Sequence, residues 1–214
     1  MTRGLRSQPE FRDVTAGLWV WRVEHPRWRP GQGWDPVVAS TFVESMGERL
    51  VLDPLAPPPE AVALWERLDA RPPTVAVVLK PDHVRDVDLF LQRYGACGFG
   101  PRLFDRVDIP KSELTPIEPG SQLPGGLTAL YDGRGRCETP LWLPEQRALV
   151  FADALTAPQG ELRVWATPWH EKRVLPALRE LLDLPFELVI VSHGNPVHNR
   201  AAYEEALKRS PWNG

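Results

Sequence analysis

Apolar residues in this chain cluster into short runs separated by proline- and glycine-rich segments, and the period within each run indicates which element it forms. The first run, Gly17-Leu18-Trp19-Val20-Trp21-Arg22-Val23, is aromatic and β-branched, which predicts a strand and puts the start of an ordered core of about 17–208 there. A loop rich in Pro, Gly and Trp follows from Pro26 to Pro36. Residues 37–44 and 49–53 read as two strands that close on Met46-Gly47 as a hairpin turn. Pro57-Pro58-Pro59 stops that sheet, and Val62, Leu64, Trp65 and Leu68 then recur at helical spacing. Val75-Ala76-Val77-Val78-Leu79 is a continuous apolar run of strand length, so burial on both faces is expected. It ends at Lys80-Pro81-Asp82-His83, after which Val84, Val87, Phe90 and Leu91 share one side of a helix stopped by Gly95.

The stretch from Ile109 to Gly126 is turn-rich and carries no clear period. Residues 127–130, 141–143 and 148–151 read as short strands, the last two joined by a turn at Pro144-Glu145-Gln146-Arg147. Val174, Leu175, Leu178, Leu181 and Leu182 make an amphipathic helix with Pro176 in its first turn. Leu188-Val189-Ile190-Val191 is a second buried strand ending at Ser192-His193-Gly194, and a last helix runs from about Arg200 to Lys208. A hairpin cluster, then strand-helix units, then more strands suggests two packed sheets with helices outside.

Composition narrows the setting. The 214 residues allow one domain, 1–214, and leave little room for two. Lys plus Arg is 25 against 28 for Asp plus Glu, a formal net charge of -3 that argues against broad electrostatic binding to nucleic acid. No apolar run approaches the roughly 20 residues of a membrane span. Met1 to Ser7 carries positive charge with no apolar core behind it, which does not read as a signal peptide. Cys97 and Cys137 make no disulfide framework, so a reduced, cytoplasmic setting is expected. The 24 prolines are dispersed and read as loop stiffeners.

The candidate chemistry lies at strand ends. His83 and His193 directly follow the two buried strands, while Asp53 and Asp153 end the runs Leu50-Val51-Leu52 and Leu149-Val150-Phe151. Such positions converge on one sheet edge, and carboxylate oxygen with imidazole nitrogen suits Zn²⁺, Fe²⁺ or Mn²⁺. Each residue also has a purely structural reading: Asp82 as a helix cap, His83 as a solvated first-turn residue, Asp153 as a turn residue, His193 as a loop-orienting group.

In order and context the chain resembles the metallo-β-lactamase superfamily from about Gly17 to Leu207. Leu52-Asp53 matches the superfamily's early aspartate, and Pro81-Asp82-His83 follows the buried strand where the family carries H-x-H-x-D-H. Leu149-Val150-Phe151-Ala152-Asp153 resembles the strand that delivers a metal-bridging aspartate, and Val189-Ile190-Val191-Ser192-His193-Gly194 the strand that delivers the final histidine. The resemblance implies a four-layer αββα sandwich of two mixed sheets with helices outside.

The departures matter as much. Val78 to Pro81 holds no histidine, so both H-x-H ligands are absent, and Arg136-Cys137-Glu138-Thr139-Pro140 has Glu138 where the family's G-H-T loop has its histidine. The resemblance therefore implies that the first metal site has lost its imidazoles, while Asp82, His83, Asp153 and His193 complete the second. It implies a hydrolase using at most one metal ion, with Glu138 as general base and an ester, thioester or lactone as substrate by analogy. The alternative is a catalytically degenerate member that binds a small molecule or a partner, a second copy of this chain included, with no metal and with the nine tryptophans as recognition surface. A nuclease role is disfavoured by the charge balance. Cys137 is a further ligand or nucleophile candidate; Arg85, Arg134 and Arg136 are candidate anion binders; and Trp28 and Trp34 sit where the family carries a substrate-covering flap. His170 is expected at the surface.

Overall fold

The computed structural model describes residues 9–135 and 138–214, so the readings made on Met1 to Ser7, Arg136 and Cys137 lie outside the described residues. The first sheet has seven strands in spatial order β1 (Glu10–Thr15), β2 (Leu18–Glu24), β3 (Val37–Ser45), β4 (Glu48–Leu52), β5 (Val75–Val77), β6 (Cys97–Gly100) and β7 (Thr115–Pro116). β1 to β4 pair antiparallel and β4 to β7 parallel, with helix α1 (Val62–Ala70) joining β4 to β5 and α2 (Val87–Tyr94) joining β5 to β6. The second sheet contains β8 (Gln122–Leu123), β9 (Leu127–Ala129), β10 (Leu141–Leu143), β11 (Ala148–Phe151), β14 (Leu188–Val191) and β15 (Val197–Asn199), in spatial order β15-β14-β11-β10-β9-β8. β12 (Leu155–Thr156) and β13 (Arg163–Val164) form a small separate ribbon, and helices α3 (Leu175–Glu180) and α4 (Arg200–Ala206) follow β13 and β15.

Strand periodicity assigns the layers. Leu18 and Val20 of β2, Leu50 and Leu52 of β4, and Val75 and Val77 of β5 point inward and meet Leu141, Leu143, Val150 and Ile190 of the other sheet. The alternate residues Trp19, Trp21, Val51 and Ala76 face outward onto Leu64 and Leu68 of α1 and Phe90 of α2. On the other side Leu149, Phe151, Val189 and Val191 pack against Leu175 and Leu178 of α3 and Tyr203 of α4. Helices therefore cover the outer face of each sheet, which is the αββα sandwich expected from the resemblance.

Local chemistry explains several joints. Met46 and Gly47 between β3 and β4 both have positive φ, 48° and 84°, the twist a two-residue hairpin demands. Gly95 ends α2 in the left-handed conformation at φ 64°, which costs glycine nothing. The expected helix around Pro176 is broken into three parts: a π-turn at His170–Val174, then α3, then a 3₁₀ turn at Leu181–Asp183. Strand β1 lies before the expected start of the core. It is an exposed edge strand held by backbone pairing with β2, so it leaves no apolar run to read. Val62, expected on the apolar face of α1, is 57% exposed.

Candidate metal site

β4 and β5 are parallel neighbours, as are β11 and β14, so each pair delivers its C-terminal ends to one edge. The two edges meet. Val38 of β3 bridges to His193, and the Ala39 N–H donates to the Ser192 carbonyl at 2.8 Å. Asp53, just past β4, is buried and left-handed at φ 45°. Its Oδ1 accepts the Leu79 N–H at 2.7 Å, and its Oδ2 lies 2.8 Å from His83 Nδ1. A carboxylate there makes Nδ1 the donor, so the basic nitrogen of His83 is Nε2, the arrangement that orients metal-bound histidines.

That Nε2 is 3.2 Å from Asp153 Oδ1, and His193 Nε2 is 3.0 Å from the same oxygen. Distance alone makes these ion pairs, but neither ring N–H points at the oxygen well enough to hydrogen-bond it, and Asp153 Oδ1 is a buried acceptor with no directed donor. His83, Asp153 and His193 each bring one ligand atom within 4.8 Å of the others. The other carboxylate oxygen is occupied: Lys80 Nζ lies 2.6 Å from Asp153 Oδ2 and also 2.6 Å from Asp82 Oδ1.

The charges follow from this packing. Burial opposes charge on His83, but Asp153 and Asp53 outweigh it and push its pKa up to about 9. Burial dominates at His193 and lowers its pKa despite the Asp153 carboxylate. Burial alone would raise the Asp153 carboxyl, yet His83 and His193 hold it well below the ordinary value. Beneath them Arg85, also left-handed at φ 47°, donates through Nη1 to the carbonyls of Ala39 at 2.8 Å and Asp53 at 2.6 Å, tying β3 to the end of β4.

An aromatic wall stands over His193. Trp34 meets its ring edge-on at 5.2 Å, and His25 meets Trp34 at 5.4 Å from the other side. The Trp28 indole N–H donates to the Trp34 carbonyl at 2.8 Å, fixing the loop. Trp28, Trp34 and Trp212 with Thr156, Pro158 and His193 border an open cavity of about 360 Å³.

Two expected site residues fall elsewhere. Asp82 does not join the three; its side chain is 46% exposed and is paired with Lys80, because the chain turns outward at Pro81. Glu138, expected as a general base, is fully buried and its carboxylate is occupied by donors. Oε1 accepts the Ala152 N–H at 2.8 Å, and Oε2 accepts those of Asp153 at 2.7 Å and Ala154 at 2.8 Å and pairs with Arg134. Glu138 thus shapes the loop that presents Asp153. Arg134 is paired with Asp132 and Glu138 rather than free for an anion. His170 is buried, not at the surface. Sequence pattern does not single out Lys80 or His25. A lysine between a fully buried strand and Asp82-His83 is the available signal for the first, while nothing local to His25 indicates its approach.

No family model matches the sequence, and no curated protein matches it. Solved structures do match. The metallo-β-lactamase FIM-1 from Pseudomonas aeruginosa, in its mono-zinc form, is 19% identical with a TM-score of 0.68 over 95% of both chains. The metallo-β-lactamase DIM-1, exposed to ceftazidime, is 14% identical with a TM-score of 0.72 over 95% of this chain and 96% of that one. This chain has the metallo-β-lactamase fold. A metallo-β-lactamase family protein from Thermus thermophilus shares the fold at 19% identity and a TM-score of 0.64, over 91% of this chain and 79% of that one. Against this fold, β4, β5, β11 and β14 carry Asp53, His83, Asp153 and His193 to one edge of the sandwich. No helix among the described residues is long and apolar enough to cross a membrane.

Proposed function

We propose that this metallo-β-lactamase-fold chain is a hydrolase working with one divalent metal ion held by His83, Asp153 and His193. The observation that carries the reading is Asp153 Oδ1, a buried oxygen without a directed donor and with two imidazole Nε2 atoms at 3.0 and 3.2 Å. Those spacings suit neighbours on one ion bound at about 2.0–2.2 Å, and two imidazoles with one carboxylate suit Zn²⁺, Fe²⁺ or Mn²⁺. The mono-zinc form named for FIM-1 is consistent with a single ion on this fold.

When bound, such an ion supplies a Lewis acid and a water ionised near neutral pH. The protein's own groups do the rest. Asp53 keeps the His83 ring turned so that Nε2 faces inward, and Glu138 fixes the backbone that presents Asp153. Trp34 shields one side of His193 from water. The cavity beside His193 takes the part of the substrate away from the reacting bond. Its lining holds three indoles, the Asp35 carboxylate and no Lys or Arg, which favours an apolar ester, thioester or lactone over an anionic substrate. Protein purified without chelator should carry one metal ion per chain, and chelation should abolish ester or lactone hydrolysis until Zn²⁺ is returned. Protein that takes up no Zn²⁺, Mn²⁺ or Fe²⁺ after loading would overturn the reading. Lys80 favours a second one, a ligand-binding protein without metal, because its ammonium already neutralises Asp153.

A further inference from the structure

We propose that the Lys80 ammonium is a built-in cation that restricts this site to one metal ion and weakens its hold on that ion. The inference rests on the mononuclear reading above and deepens it. The Asp153 carboxylate is divided between two environments. Oδ1 faces the two imidazoles, and Oδ2 is held by Lys80 Nζ at 2.6 Å. A second carboxylate, Asp82, fixes the same ammonium at 2.6 Å, so the cation is clamped from two sides rather than waving at the end of a flexible stem. Its side chain is only 17% exposed. Pro81 follows directly and restricts the backbone that carries it.

Two consequences follow from that clamp. Geometrically, Oδ2 has no room to bridge to another ion, because the ammonium fills the space such an ion would occupy. Electrostatically, the carboxylates of Asp53, Asp82 and Asp153 face the fixed charges of Lys80 and Arg85, so with neutral imidazoles the cluster offers a dication a single net negative charge. Without Lys80 it offers two. Like charges a few ångströms apart in a shielded site repel strongly, so the ammonium works against the incoming metal while it organises Asp153. Three carboxylate oxygens surround its three N–H donors: Asp153 Oδ2 and Asp82 Oδ1 at 2.6 Å and Asp82 Oδ2 at 2.7 Å, which holds the charge in place.

A merely structural lysine and a competing cation make opposite predictions. If Lys80 only braces Asp153, removing it loosens a ligand and weakens metal binding. If it competes, removing it tightens binding. Zn²⁺ is titrated by calorimetry into metal-stripped wild type, Lys80→Met and Lys80→Arg, with stoichiometry read by native mass spectrometry and folding by thermal melting. Lys80→Met should bind Zn²⁺ at least about tenfold more tightly than wild type. Lys80→Arg, which keeps the charge, should stay near the wild-type affinity. Lys80→Gln, neutral but still able to donate to Asp153, replaces Lys80→Met if the latter does not fold. Zn²⁺ bound by wild type and no more tightly by the neutral variants overturns the role of Lys80 and leaves the mononuclear reading standing. Zn²⁺ bound by a neutral variant but not by wild type supports the role of Lys80 and overturns that reading. Zn²⁺ bound by none of them overturns both.

Discussion

Glu138→Gln separates a residue that does chemistry from one that holds the site in shape. The substitution keeps size and exchanges one carboxylate oxygen for NH₂. Every partner of Glu138 is a donor: the N–H groups of Ala152, Asp153 and Ala154, and the Arg134 guanidinium. Whichever way the amide is turned, its NH₂ must face at least one backbone N–H. A buried donor left without an acceptor costs about 1–3 kcal/mol. Arg134 keeps Asp132 but loses its second carboxylate, and removing one partner of a buried pair costs up to about 3–5 kcal/mol. Because Asp132 still compensates the charge, the sum should fall near the low end of that range, about 3 kcal/mol. For a domain of 150–250 residues this lowers the melting temperature by roughly 6–12 °C. Urea unfolding followed by tryptophan fluorescence and thermal melting followed by circular dichroism both measure it. A variant that melts within about 1 °C of wild type, yet loses hydrolysis by more than about a hundredfold, would refute the reasoning and make Glu138 a base after all.

Three other outcomes are expected. His193→Ala should lose bound zinc, whereas His198→Ala should keep it, because His198 Nε2 is bonded to the Asn195 carbonyl at 2.7 Å on the outer strand; metal analysis of both proteins decides. Gly194→Ala would place a Cβ 2.0 Å from the Ala157 carbonyl oxygen at φ 82°, so it should both destabilise the fold by about 2 kcal/mol or more and reduce zinc content by moving His193. An alanine variant with the wild-type unfolding midpoint and full zinc would count against that close approach. At Asp88, burial raises the carboxyl, but the N–H groups of Lys111 at 2.9 Å and Ser112 at 2.8 Å prevail and hold its pKa below the ordinary 3.8. The stability it contributes is therefore complete above that value and lost as pH falls through the lower folded one, so the gap between wild type and Asp88→Asn should narrow on acidification; a gap independent of pH would contradict this.

What sequence pattern alone determined is set by short-range periodicity. The runs at Val37 to Glu44, Val75 to Leu79, Ala148 to Phe151 and Leu188 to Val191 are apolar because they are buried on one or both faces, and burial leaves a mark that the sequence records. The helices around Leu64 and Phe90 are recorded in the same way. His83, Asp153 and His193 stand out as candidates because each follows such a run, and parallel pairing carries those ends to one edge. Edge strands leave no such record: β1, β7 and β15 are held by backbone bonds that any side chain permits.

Only the tertiary structure decided the roles. Asp82 and His83 are adjacent in sequence, yet Pro81 turns one out to solvent and Asp53 draws the other in. Glu138 occupies the position from which a ligand or a base is expected, but three backbone N–H groups and Arg134 converge on it from segments up to 16 residues away. Lys80 escapes a reading of the sequence because a lone lysine carries no period and no motif. It becomes part of the site when Asp153, 73 positions later in the chain, is folded to within 2.6 Å of its ammonium. The sequence lists which charges a site can use, but their distances come from long-range packing, and in a buried site distance sets whether two charges cancel, compete or share an ion.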